Sequence, residues 1–223
     1  MGFEALLRWA SPEHGFVPPM EFIEIAEISG LILPLGKWVL YEACDFIKHV
    51  KDMGFSNLNI SVNISVLQLM QDDFINMVID ILRKKDLEPS CLELEITETI
   101  LMEFIENNME KIKKLSDLGI KISLDDFGTG YSSLTYLREL PINILKIDKS
   151  FIDDITFSDN KSGIIGSIIS LAHELGLKVV AEGVETKKQL DYISYHKCDI
   201  VQGYFISKPM PKDDALQFLY KHI

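Results

Sequence analysis

Apolar residues along this chain follow two alternating rhythms. Short runs rich in Leu, Ile and Val cover residues 3–8, 58–63, 92–97, 120–125, 142–147, 178–182 and 199–202, with the length and composition of buried strands. Between them, apolar positions recur at three- and four-residue spacing over 19–29, 35–53, 72–85, 105–118, 161–175, 187–195 and 213–222, which predicts helices. Gly54, Gly119 and Gly176 each follow such a stretch and supply the left-handed residue that ends a helix. Strands alternating with helices run parallel and are joined by helical crossovers, which leaves a doubly wound sheet or a closed barrel.

The polar residues favour the barrel. Glu4, Asn63, Glu95, Asp125 with Asp126, Lys146, Glu182 and Gln202 each stand in or at the end of an apolar run. A carboxylate inside Gly2-Phe-Glu-Ala-Leu-Leu-Arg8 loses its hydration at a cost of several kcal/mol unless a cation or hydrogen bonds replace the water. After the first gap these residues are spaced by roughly 20 to 36 positions, the rhythm of strand ends converging on the pocket of an α/β barrel. No Gly-x-Gly-x-x-Gly turn marks a dinucleotide crevice. The expected fold is therefore α/β, a TIM-like barrel of which seven strands are visible. No repeat, low-complexity tract or linker divides the chain.

Several segments carry candidate chemistry. In Cys91-Leu-Glu-Leu-Glu-Ile-Thr-Glu98, the strand period puts Glu93, Glu95 and Thr97 on one face; a surface strand with one charged side would look the same. The neighbouring carboxylates Asp125 and Asp126 repel each other and call for a hard divalent cation. Oxygen ligands from Glu4, Asn63, Glu95 and Asp125, with Asp126 reaching a second ion, suit magnesium or manganese better than zinc. The following Phe-Gly-Thr-Gly-Tyr-Ser-Ser133 reads as a tight turn or, weakly, as a phosphate loop. Lys146 and Asp148 read as a structural salt bridge, or Lys146 holds a water or the charge developing on a phosphoryl oxygen. Glu182 follows an apolar strand as a site residue, and Glu185 reads equally as a helix cap and as part of the site.

Composition narrows the partners. The 223 residues carry a formal net charge of −12, which argues against long nucleic acid, whose affinity comes from clustered Lys and Arg. A small anion held through metal ions is still compatible. Cys44, Cys91 and Cys198 lack metal-ligand spacing and read as buried, reduced thiols. No run reaches the roughly 18–20 apolar residues of a membrane span, and the first ten residues do not form a signal peptide, so a cytoplasmic domain is expected. His14, His49, His173, His196 and His222 form no metal pair, and Trp9 and Trp38 read as core or pocket wall.

Taken in order, these motifs resemble one family, the EAL-domain phosphodiesterases that hydrolyse the bacterial second messenger cyclic di-GMP. The resemblance rests on Glu4-Ala5-Leu6 extended to Arg8, Ser61-Val-Asn-Ile-Ser65, Glu95-Ile-Thr-Glu98, Asp125-Asp-Phe-Gly-Thr-Gly-Tyr-Ser-Ser133, Lys146-Ile-Asp148, Ala181-Glu-Gly-Val-Glu185 and Gln202-Gly-Tyr. It implies a single EAL domain over 1–223 with a TIM-like (β/α)8 barrel. By carry-over, Glu4, Asn63, Glu95 and Asp125 hold a first Mg2+ or Mn2+, and Asp125 and Asp126 hold a second. Glu182 orients or deprotonates the attacking water, and Lys146 contacts that water or a phosphate oxygen. Arg8 contacts phosphate, Gln202 and Glu185 support the substrate site, and Glu98 braces the loop after Asp126.

The implied reaction opens cyclic di-GMP to linear pGpG. A homodimer and an upstream sensor or GGDEF-type domain are the implied partners, with any membrane anchor lying outside this domain. Family members carry a Tyr-Gln-Pro-Ile-like strand before Glu-Ala-Leu, so the barrel is expected to lack its first strand here, leaving a seam open to aggregation, swapping or completion by a neighbour. A catalytically inactive module that binds cyclic di-GMP or a protein partner is the alternative, and a metabolic barrel enzyme acting on a small phosphorylated compound is a third reading.

Overall fold

The computed structural model describes residues 2–128, 134–155 and 163–222, with side chains described outside 99–108, 134–136 and 222. The chain forms two compact units. The first comprises Met1–Glu95, Phe104–Lys121 and Leu219–Ile223, and the second Ile96–Glu103 and Ile122–Phe218.

In the first unit, β1 (Gly2–Ala5) leads to a small antiparallel hairpin, β2 (Trp9–Ser11) and β3 (Gly15–Val17). Helices α1 (Pro19–Ile28) and α2 (Ile32–Asp52) follow, then β4 (Asn59–Asn63), α3 (Val66–Met70), α4 (Phe74–Lys84) and β5 (Leu92–Thr97). Parallel pairing sets Glu4 opposite Ser61 and Asn63 opposite Glu95. Helix α2 buries Leu40, Ala43, Cys44, Ile47 and Val50, and Phe46 meets Phe3 of β1 edge to face at 5.1 Å. Phe3 thus faces the helix, and the strand period turns Glu4 the other way. Burial pushes the Cys44 thiol up to about 12, with the nearby Cys91 adding to the effect, so it is inert at neutral pH.

The second unit begins inside β5 and takes in the start of α5 (Glu98–Asp117). It continues with β6 (Lys121–Phe127), α6 (Leu134–Glu139), β7 (Ile144–Ile147), α7 (Lys149–Asp153), α8 (Gly163–Glu174), β8 (Lys178–Ala181), α9 (Lys187–Tyr195) and β9 (Ile200–Val201), before α10 (Lys212–His222). Its parallel pairs are β6–β7, β7–β8 and β8–β9. Among the described residues, the strands of the larger sheet follow one another in chain order, β1-β4-β5-β6-β7-β8-β9. This is the α/β order of a TIM-like barrel with one strand fewer than eight.

All seven expected strands and all seven expected helices are present, with shifted ends. The largest shift is α5, which starts at Glu98 rather than 105. Gly54, Gly119 and Gly176 have φ of +100°, +93° and +75°, as helix-ending glycines require. Two expectations fail. Trp9 in β2 and Trp38 in α2 are 45% and 53% exposed, so the core half of the expectation, core or pocket wall, fails for both. Cys198 is only half-buried, although burial still pushes its thiol up to about 11. The loop residues 129–133 and the predicted helix start at 161–162 lie outside the described residues. No helix among the described residues is long and apolar enough to cross a membrane.

Candidate active site

Two clusters of polar side chains stand at the strand ends, one in each unit. In the first, the Asn63 amide Nδ2 donates to Glu4 Oε1 and to Glu95 Oε2, both at 3.0 Å. One layer below, the Asn59 amide donates to Glu93 Oε2 at 3.0 Å. Glu93 and Glu95 are only 6% and 2% exposed, so β5 is buried on both faces and the surface-strand interpretation falls. Burying two carboxylates this way is tolerable only with donors or a cation at hand.

The donor set fits a divalent ion. The amide N–H stands between two carboxylates, and an amide presents its oxygen instead after a half-turn. The three side chains then offer hard oxygen donors, the kind that magnesium and manganese take. Among the described residues no three His, Cys, Asp or Glu side chains gather as a ready cage, and here the third member is an asparagine.

The second cluster depends on a β-bulge. Leu124 pairs with Leu145 and Phe127 with Ile147, so Asp125 and Asp126 together oppose the single residue Lys146. Such a bulge re-aims side chains that would otherwise alternate across the sheet. Asp126 takes φ +55°, a conformation that Asp tolerates better than most, and its N–H donates to Asp125 Oδ1 at 3.0 Å. Lys146 is 2% exposed, its ammonium 3.3 Å from Asp125 Oδ1 and 2.7 Å from Glu182 Oε1. Its sequence neighbour Asp148 is not its partner but the N-cap of α7, accepting from Ser150 N–H at 3.0 Å.

The loop 182–185 is fixed by its backbone. Glu182 N–H donates to Ile147 O at 3.1 Å and Val184 N–H to Gln202 O at 3.0 Å, while Gln202 N–H donates to Ala181 O at 2.9 Å. A side chain at Gly203, with φ +152°, would meet Val184 backbone atoms at 2.3 Å, so only glycine lets these segments close up. Thr186 caps α9 in a capping box with Gln189, so the cap at this entrance is not Glu185. Glu185 is exposed and pairs with Lys149, a hydrogen bond that raises the lysine pKa above its ordinary value against slight desolvation. Glu98 is buried and accepts from Gly128 N–H at 2.9 Å, tying down the residue two places after Asp126. Arg8 is exposed and donates to Leu7 O at 2.8 Å.

The motif-bearing positions thus fall on the strand ends that the hydrophobic pattern gave. The EAL domain family model matches residues 1–209. The chain belongs to the EAL domain family. It is 44% identical over 218 residues to the signaling protein YkoW of Bacillus subtilis, covering 98% of this chain and 27% of that protein. It is 42% identical to the bifunctional diguanylate cyclase/cyclic di-GMP phosphodiesterase MucR of Pseudomonas aeruginosa, covering 97% of this chain and 32% of that protein. The EAL domain therefore spans about a third or less of the length of these relatives. Among solved structures, the PaMucR phosphodiesterase in complex with c-di-GMP superposes with a TM-score of 0.90 at 42% identity, covering 95% of this chain and 86% of that one.

Residues outside the family motifs also support each cluster, and no sequence pattern marks them. Lys149 lies against Gly183, where a Cβ would sit 2.3 Å from its Cγ, and Asn59 serves Glu93 from below. Gln68 is buried and completes a capping box with Ser65 just beyond Asn63. These contacts join residues distant in sequence or in no named motif.

Proposed function

We propose that this domain is a metal-dependent phosphodiesterase that hydrolyses cyclic di-GMP to linear pGpG. The observation that carries the reading is the buried Lys146 ammonium held between Asp125 and Glu182. An ammonium 2.7 Å from its carboxylate fixes the direction of Glu182, which is what a group that orients or deprotonates water needs. Support comes from relatives, among them the cyclic di-GMP phosphodiesterase NbdA of Pseudomonas aeruginosa, 43% identical over 97% of this chain and 28% of that protein.

In the first unit Glu4, Asn63 and Glu95 would hold one Mg2+ or Mn2+, and in the second Asp125 and Asp126 would hold another. Two such ions, when bound, stabilise the charge on the attacking and leaving oxygens of an in-line displacement. Glu182 orients the water and takes its proton as the water oxygen bonds to phosphorus. The ester bond to the 3′ oxygen breaks, that oxygen takes up a proton from solvent, and Glu182 returns the proton it accepted to solvent. Lys146 offers positive charge to the phosphoryl oxygen where it develops. Arg8 contacts the phosphates, Gln202 and Glu185 support the bound nucleotide, and Glu98 keeps the Gly128 backbone in place. On the family resemblance, a homodimer and an adjoining sensor or GGDEF-type domain are proposed as its partners, with a cytoplasmic location.

Replacing Glu182 by Ala tests the assignment. We expect calorimetry in calcium to show cyclic di-GMP binding within about threefold of wild type, while turnover with Mg2+ or Mn2+ falls at least about 100-fold. Near-normal turnover would remove Glu182 from the mechanism.

A further inference from the structure

Lys149 is the first residue of α7, directly after the Lys146-Ile-Asp148 segment. Its stem crosses the backbone of Gly183: a methyl group there would stand 2.3, 2.6 and 2.7 Å from its Cγ, Cβ and Cδ. Gly183 has φ +69°, so both the turn and the passing stem require glycine. Beyond Gly183 the Lys149 ammonium pairs with Glu185. The side chain therefore lies along the loop from the residue after Glu182 to Glu185.

The other fixings of this loop are different in kind. Glu182 is tied at its N–H to Ile147 O and at its carboxylate to the buried Lys146, Val184 to Gln202 O, and the Glu185 N–H to Gln189 Oε1 at 2.8 Å. Lys149 acts on the stretch between these points, pressing on Gly183 and anchoring the far carboxylate. Its side chain is 47% exposed and that of Glu185 39%, and a pair this wet contributes little to stability. Its effect is geometric.

We propose that Lys149 is a positioning residue for the hydrolytic reaction, the outer half of a two-lysine clamp that fixes the 182–185 loop and so the direction of Glu182. Lys146 grips the Glu182 carboxylate from the buried side, and Lys149 holds the backbone and Glu185 from the solvent side. The inference rests on the phosphodiesterase reading. It adds a role for a residue outside the proposed ligand and water-handling set.

The test is steady-state hydrolysis of cyclic di-GMP by the intact protein carrying Lys149→Met, Lys149→Arg, Glu185→Gln, the Met/Gln double change, or the swap Lys149→Glu with Glu185→Lys. We expect Lys149→Met to lower kcat about tenfold with KM within about twofold, since small misplacements of a catalytic group are costly. Lys149→Arg should keep most of the wild-type rate. The double variant should be no worse than the weaker single one, and the swap should recover part of the loss, as coupled partners do. A Lys149→Met protein with wild-type kcat, or losses that multiply in the double variant, would overturn the clamp. So would loss of the melting transition in Lys149→Met, which would make the residue structural. No turnover by the wild type would instead overturn the phosphodiesterase reading, and the clamp with it.

Discussion

Lys146 illustrates how strongly one buried charge constrains its surroundings. Its ammonium could not remain 2% exposed without the two carboxylates of Asp125 and Glu182, and those carboxylates equally depend on it. We expect Lys146→Met to destabilise the fold by about 3–5 kcal/mol in urea unfolding, because the buried Asp125 and the partly buried Glu182 carboxylates both lose this cation. A loss under about 1 kcal/mol would mean that solvent already serves them. Lys146 and Glu182 stood out in the sequence because each breaks an apolar run, and their partnership follows from the parallel β7–β8 pairing. The bulge at Asp125 and Asp126 was not legible in the same way. It arises from β7 offering one residue where β6 offers two, and a single strand's sequence carries no record of its neighbour's register.

Among the elements, the long ones were legible and the short ones were not. Helices such as α2 and α4 bury an apolar stripe and announce themselves by periodicity. Helices α3 and α7 have five residues each and are set by end chemistry, the Ser65–Gln68 box and the Asp148 cap, which leaves no periodic trace. Helix α3 is gripped at its other end by Lys111, whose ammonium donates to Leu69 O, Met70 O and Gln71 O at 2.8–3.0 Å. The hairpin of β2 and β3 was missed because three-residue strands are too short to alternate convincingly.

One joint between elements should respond to pH. Asp199, just before β9, accepts from His173 of α8 at 2.9 Å and from Val179 N–H of β8 at 2.8 Å. Burial pushes its carboxyl up, but the His173 and Val179 hydrogen bonds and the charges of His173 and Lys178 outweigh that and leave it below the ordinary 3.8. A carboxyl held low contributes stability while ionised: fully above the ordinary value, and progressively less as pH falls through the folded one. At this half-open site we expect Asp199→Asn to cost about 0.5 kcal/mol near pH 6, the difference from wild type closing below about pH 4. A gap that widened in acid would reverse the sign of this contribution.

At the scale of the whole molecule, the order of parallel strands and helices and the strand-end placement of the polar residues could be read from the chain, because burial sets both periods and marks every interrupted apolar run. The formal charge of −12 repels a dianionic nucleotide from the bare protein. Divalent ions, if held by the proposed carboxylate ligands, would reverse that local field, so substrate binding and metal binding should rise together. The most direct test is chromatography of cyclic di-GMP incubated with the intact protein and Mg2+ or Mn2+. We expect stoichiometric conversion to linear pGpG that stops when a chelator is added. Unchanged cyclic di-GMP with both metals, from folded protein that binds the nucleotide, would contradict the phosphodiesterase reading and leave a binding module in its place.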